Sequence, residues 1–185
     1  DTAAASKVVR VLGSAAARCA ASTAAARLFL PALRSMMTME KPVIAAVSGA
    51  AAGIGVSYVL ASDMVVMGRS AYLKLAFINI GLIPDGGACW HLVRKLGHAQ
   101  AFEMAALATP IDAERCVALG LTNRAVEDDQ VLAEARALAQ ALVAQSPQAL
   151  GATKKVCSNV LLQLDELLND VKFCVMPGSR INFKS

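Results

Sequence analysis

The sequence predicts an α/β fold whose later part is mostly helical. Three observations carry that expectation. Residues 43–47 (VIAAV) and 63–67 (DMVVM) are short β-branched runs of the kind that form buried strands. Between them lie a glycine-rich turn and an apolar helical stretch. After residue 112, amphipathic helical patterns follow one another, and no internal repeat is evident.

The elements can be justified in order. Residues 7–12 (KVVRVL) suit a short strand. Residues 15–39 read as a helix, with Leu28, Leu30, Leu33, Met36 and Met37 at helical spacing. Pro31 is expected to kink it or start a segment, and Glu40-Lys41-Pro42 ends it, because the residue before a proline avoids helical angles. The strand at 43–47 should be buried on both faces. The turn at 48–55 (SGAAAGIG) leads into an apolar helix reaching about Ser62. The strand at 63–67 is closed by Gly68-Arg69-Ser70, and residues 71–75 suit a further short strand. Residues 83–87 (IPDGG) form a loop before a helix from about Ala88 to Leu96, with Gly97 just past its end. Asp112 is an N-cap for a helix closed by Gly120. Val131, Leu132, Ala135, Leu138, Ala139 and Leu142 mark one helix face, and Ser146-Pro147 opens the next helix as cap and first residue. Residues 171–185 have no period of either kind.

Composition narrows the function. The chain has 185 residues, the length of one domain, with 56% hydrophobic and 17% charged residues, so it is not a disordered chain. A net charge of +4 suits a small anionic ligand but is too small and too scattered to argue for nucleic acid, so no nucleic-acid partner is expected. The five cysteines are widely spaced, there is no CxxC pair, and two histidines cannot complete a zinc site, so no metal is expected. The cysteines are read as reduced core thiols in an intracellular protein.

Two segments imitate other signals. Residues 42–62 carry no charge and could span a bilayer, but Gly49, Gly53 and Gly55 punctuate them as a strand, turn and helix would. No membrane association is expected. Residues 2–39 are free of acid until Glu40 and carry Lys7, Arg10, Arg18, Arg27 and Arg34 among Ala and Ser, like an organelle transit peptide. The favoured reading is an Ala-rich helix with a basic face, which leaves a cytoplasmic location ahead of a mitochondrial one.

The glycine turn admits three readings. Its spacing is like a dinucleotide-binding turn, but no Tyr-xxx-Lys pair follows: four residues after Tyr58 stands Ser62, and four after Tyr72 stands Ala76. In the second reading the glycines serve only close strand–helix packing. In the third reading, Gly53-Ile54-Gly55 presents the unpaired Ile54 N–H of a helix start to an oxyanion, as a thioester oxygen becomes when the adjacent carbon loses a proton. For Asp85, position alone suggests a helix N-cap.

Four stretches, KPVIAAVSGAAAGIG, ASDMVVM, AFINIGLIPDGGA and IDAERCVALGLTNRAV, resemble the crotonase (enoyl-CoA hydratase/isomerase) superfamily over residues 41–126. The resemblance implies a spiral of ββα turns with a helical C-terminal oligomerisation region, here residues 1–130 and 131–185. The family's N-terminal pattern finds no match between Leu12 and Ala20, so that part of the core is expected to be incomplete, and both abrupt ends suggest missing segments. The resemblance also implies a coenzyme A thioester as substrate, no separate cofactor, a role in fatty acid metabolism, and a homotrimer or hexamer.

By position, the resemblance makes the Ile54 N–H an oxyanion donor. The two glutamates of the family's hydratases fall on Ser57 and Phe77, neither of which can act as a general base, so water addition is disfavoured. Asp85 matches the aspartate of the isomerase branch that resembles epoxyphenylacetyl-CoA isomerase, as do the Ala76-Phe77 pair and Trp90. The expected reaction is therefore double-bond isomerisation with Asp85 as the proton shuttle. Gly53, Ser57, Phe77 and Gly86 are expected to line the substrate site. A hydratase or hydrolase, or a catalytically silent CoA-binding paralogue, are the alternatives. A helix start would lower the Asp85 pKa and an apolar wall would raise it. Phe77 and Trp90 are read as core or acyl-pocket wall, and His91 and His98 as packed or solvated. Lys154 and Lys155 are read as a solvated helix face, with proximity to CoA phosphates the lesser alternative.

Overall fold

The computed structural model describes residues 8–9 and 23–159. The aperiodic end at 171–185 and most of the basic N-terminal stretch lie outside the described residues. Strand β1 (Val8–Val9), a fragment of the expected run, pairs in parallel with β2 (Ile44–Val47). Helix α1 (Thr23–Thr38) does not start at Pro31 but runs through it. The exposed Pro31 forgoes one helical hydrogen bond, and Leu33 and Met36, both buried, anchor the helix on either side of the next turn.

Two passes of the chain repeat a strand–strand–helix unit. The first is β2, then β3 (Ala50–Ala52), then α2 (Ile54–Leu60). The second is β4 (Met64–Gly68), β5 (Tyr72–Lys74), a 3-10 turn at Ile78–Ile80, and α3 (Ala88–Leu96). Helix α4 (His98–Leu107), strand β6 (Ile111–Asp112), helix α5 (Ala113–Ala118) and strand β7 (Arg124–Val126) follow. Helices α6 (Val131–Val143) and α7 (Pro147–Asn159) complete the described chain.

The strands form two sheets. One is parallel, in the order β1-β2-β4-β7, with Ile44 opposite Met64 and Val66 opposite Arg124. The other has the order β3-β5-β6, with β3 parallel to β5 and β6 antiparallel. Strand β3 departs from the sequence expectation, which places its three alanines, weak strand formers, in the turn. The ladder to β5 imposes the extended form.

Strand β2 is buried on both faces, as its continuous apolar run predicts. Ala45 and Val47 join the principal core with Val65, Met67, Leu73, Leu75 and Leu92, while Ile44, Ala46 and Val66 pack beneath Val131 and Ala135 of α6. Each fully buried valine contributes roughly 1.5–3 kcal/mol. A third, smaller cluster joins Leu33 of α1 to Ile54 and Ala61 at the two ends of α2.

Residues 42–62 fold as strand, strand and helix, so β3 takes up part of the expected turn, and among the described residues no helix is long and apolar enough to cross a membrane. Two cap expectations hold. The Asp112 carboxylate accepts from Arg115 N at 2.7 Å, and Ser146 Oγ accepts from Ala149 N at 3.4 Å. The cysteines need correction. Cys116 is a core residue whose thiol is pushed up to about 12 by burial and the nearby Asp112, but Cys89 and Cys157 are exposed. Cys19 and Cys174 lie outside the described residues.

Candidate active site

The site begins where β3 hands over to α2. Gly53 takes φ 55° and ψ −126°, a conformation open to glycine, and so turns the chain sharply. Its N–H donates to Lys74 O at 2.9 Å, which extends the β3–β5 ladder by one residue, and its carbonyl accepts from Val56 N at 3.0 Å. No side chain caps the helix. Ile54 is therefore the first helical residue, and its N–H has no acceptor within the helix. Its side chain is buried against Leu33 and Ala61. With seven residues, α2 supplies a local donor rather than a long dipole.

The loop before α3 is folded against this start. Gly86 and Gly87 have φ of 61° and 76°, which explains why two glycines follow Asp85. Gly86 is buried. A Cβ on it would stand 2.6 Å from Ile54 Cδ1, 2.9 Å from Ser57 Cβ and 3.0 Å from Leu33 Cδ1, so only glycine fits between α1 and α2. Ser57 is fully buried, and its hydroxyl donates to the Asp85 main-chain carbonyl at 2.9 Å. That carbonyl also accepts from Ala88 N at 3.2 Å.

The Asp85 side chain is not the N-cap that its position suggests. The cap residue of α3 is Gly87, with no side-chain cap bond. Asp85 Oδ1 is instead buried with no hydrogen-bond partner among the described residues. Burial pushes the carboxyl above its ordinary range, opposed by a hydrogen bond from its own main chain. Of the two opposing influences on its pKa, desolvation wins. Phe77, also buried, lies on the other side of the turn, its ring tip 3.9 Å from the Cβ position of Gly53.

The structure thus gathers Gly53, Ile54, Ser57, Phe77, Asp85 and Gly86 around the junction of α2 with the loop before α3. Trp90 lies elsewhere. It lines a groove of about 440 Å³ with Met37, Asp63, His91, Arg94 and Lys95, and neither Asp85 nor Ile54 borders it. The Arg94 guanidinium sits 4.9 Å from the Trp90 ring centre. His91 is packed edge-on against Trp90, and burial, then Lys95 and Arg94, push its pKa down to about 4. His98 is exposed and stacks on Phe102. Among the described residues no group of three His, Cys, Asp or Glu side chains could hold a metal.

Lys154 corrects the sequence expectation of a solvated face. It is buried, and its ammonium donates to Met36 O at 2.9 Å, Lys41 O at 3.0 Å and Asp63 Oδ2 at 2.7 Å. The same Asp63 oxygen accepts from Val43 N at 2.7 Å. One lysine therefore ties α7 to the end of α1 and to the entrances of β2 and β4. Gly151 and Lys154, three residues apart, are buried on one face of α7, which the sequence alone does not signal. Lys155, by contrast, is exposed and pairs with Glu40 at 2.6 Å.

Comparison with known proteins bears on this geometry. Residues 12–169 match the enoyl-CoA hydratase/isomerase family. A 1,2-epoxyphenylacetyl-CoA isomerase of Escherichia coli (strain K12) is 37% identical over 133 residues, 72% of this chain and 51% of that protein. A probable enoyl-CoA hydratase of Rhodobacter capsulatus is 42% identical over 125 residues, 68% of this chain and 49% of that protein. The crystal structure of an enoyl-CoA hydratase from Mycobacterium avium subsp. paratuberculosis K-10 superposes with a TM-score of 0.78 at 32% identity, covering 82% of this chain and 62% of that one. The chain spans about half the length of the curated relatives it matches. The family match, the relatives and the shared arrangement of ββα turns lead to one conclusion: this chain belongs to the enoyl-CoA hydratase/isomerase family and has the crotonase fold.

Proposed function

We propose that this chain moves a double bond along an unsaturated acyl-CoA, from the 3-enoyl to the 2-enoyl thioester, with Asp85 as the only proton carrier. The observation that carries the reading is the Asp85 carboxyl. It has a buried oxygen without a partner and a raised pKa, and it belongs to a loop packed against the start of α2. The residues at the two positions where a hydratase would need glutamates are Ser57 and Phe77, which cannot activate water.

In this mechanism the Asp85 carboxylate removes a proton from carbon 2, between the thioester carbonyl and the double bond. The electrons pass to the thioester oxygen, and the Ile54 N–H donates to it, a contribution of roughly 3–4 kcal/mol for one fixed donor. The protonated Asp85 then returns the proton to carbon 4. One proton leaves and one returns, so the reaction consumes nothing besides the acyl-CoA. Positioned acid–base transfer of this kind is worth about 10²–10⁴-fold. Gly53, Phe77 and Gly86 form the wall around the reacting carbons, and Ser57, fully buried with its hydroxyl on the Asp85 carbonyl, stands behind that wall. The chain works as a homotrimer or hexamer, for which exposed Ile78, Ile80, Phe102 and Leu107 offer apolar surface, and light scattering measures that state.

The family resemblance to hydratases favours a second reading, addition of water to a 2-enoyl-CoA. Purified protein is therefore assayed with 3-enoyl-CoA and with 2-enoyl-CoA. Formation of the conjugated thioester from the first supports isomerisation. Formation of a 3-hydroxyacyl-CoA from the second, with no migration in the first, supports hydration and overturns the proposal.

A further inference from the structure

The Asp85 main-chain oxygen receives two donors that do different work. Ala88 N–H reaches it from three residues along the chain, at 3.2 Å, and forms the local turn. The Ser57 hydroxyl reaches it at 2.9 Å across 28 residues, and joins the loop to α2. Ser57 stands three residues after Ile54, on the same face of that helix. Its side chain is 0% exposed, so no bulk water competes for the hydroxyl. The adjoining Gly86 has no side chain to key it in place, although a Cβ there would stand 2.6 Å from Ile54 Cδ1 and 2.9 Å from Ser57 Cβ. Van der Waals contact lets the loop approach the helix, and one directional bond fixes where along the helix it rests.

We propose that Ser57 is a positioning residue: its hydroxyl sets the register of the Asp85 carboxyl against the Ile54 amide. This rests on the roles proposed above for those two groups. Without the hydroxyl, the Asp85 carbonyl keeps its Ala88 bond, so the loop still folds. What is lost is the lateral restraint between proton carrier and oxyanion donor. A displacement of ~1 Å between such groups can cost on the order of 10²-fold in rate.

The test compares wild type, Ser57→Ala, Ser57→Cys and Asp85→Asn in the 3-enoyl-CoA isomerisation assay, with amide hydrogen exchange followed by mass spectrometry. Ser57→Ala is expected to lower kcat about ten-fold or more with KM changed by less than about two-fold. Exchange should quicken in residues 83–88 and stay unchanged in residues 43–47. Ser57→Cys, of similar size with a weaker donor, should fall between Ala and wild type. Asp85→Asn should be inactive. Wild-type kcat in Ser57→Ala, or a loss that Ser57→Cys does not lessen, overturns the proposal while Asp85→Asn stays inactive and the functional reading stands. An Asp85→Asn variant as active as wild type overturns the functional reading, and the positioning role with it.

Discussion

Gly86 lies so close to Ile54 that a single added methyl group would stand 2.6 Å from the isoleucine Cδ1. Two segments separated by more than thirty residues of sequence thus meet without space for a side chain, one carrying the Asp85 carboxyl and the other the first amide of α2. Gly86→Ala is expected to cost roughly 2–4 kcal/mol, from a positive φ and from overpacking. Gly53→Ala would meet only the Phe77 ring, at 3.9 Å, so its expected cost of roughly 1–3 kcal/mol is backbone strain alone, at φ 55° and ψ −126°. Urea denaturation of both variants checks the order; equal losses would contradict the packing described.

Ile54 offers a way to remove one donor hydrogen. Proline is accepted at the first position of a helix, where its missing N–H has no helical partner. Ile54→Pro is expected to lower kcat by about 10²–10³-fold if the amide holds the enolate oxygen. Ile54→Ala loses the same side-chain packing but keeps the N–H, and should retain most of kcat. Equal losses of kcat in the two variants would assign the effect to packing.

Burial holds the Asp85 carboxyl above its ordinary pKa, so the folded chain keeps this proton to higher pH than the unfolded chain does. The cost of the buried charge is absent below the unfolded value of about 3.9 and appears as pH rises through the folded pKa. Asp85→Asn is therefore expected to melt above wild type at neutral pH, with the gap closing as pH falls toward about 4. Calorimetry across that range measures the gap; one that widens on acidification would contradict the burial of the charge. Isomerisation should follow the same group, rising with pH through the raised pKa.

Lys154→Met leaves two main-chain carbonyls and the Asp63 carboxylate without their shared cation. A loss of about 3 kcal/mol is expected, as for other broken buried pairs. Lys155→Met breaks only the exposed pair with Glu40 and should cost under about 1 kcal/mol. Similar losses in chemical denaturation would mean that Lys154 is not the anchor of α7.

Much of this arrangement was legible in the sequence because local chemistry and tertiary demand agree. Residues 43–47 are β-branched and uncharged, and β2 is buried on both sides. Gly97 and Asp112 bound helices as their residue types dictate. The gathering of Gly53, Ile54, Ser57, Phe77, Asp85 and Gly86 followed from the family motifs, which keep distant segments in a fixed spatial relation. What was not legible depends on partners far along the chain. Ala50–Ala52 becomes a strand only through its ladder to β5. Helix α4 has no cap signal of its own: it restarts at His98 after Gly97 takes φ 78° and ψ 167°. Lys154 looks like any surface lysine until α1 and Asp63 surround it. Asp85 occupies an N-cap position by sequence, yet Gly87 takes the cap and leaves the carboxyl free of that bond.

The most direct measurement is the rate of 3-enoyl-CoA isomerisation by Asp85→Asn, alongside its affinity for an unreactive acyl-CoA. Asparagine keeps the shape of the side chain but cannot take up the proton. The account predicts loss of turnover by about 10²–10⁴-fold with affinity close to wild type. Turnover at the wild-type rate would contradict it.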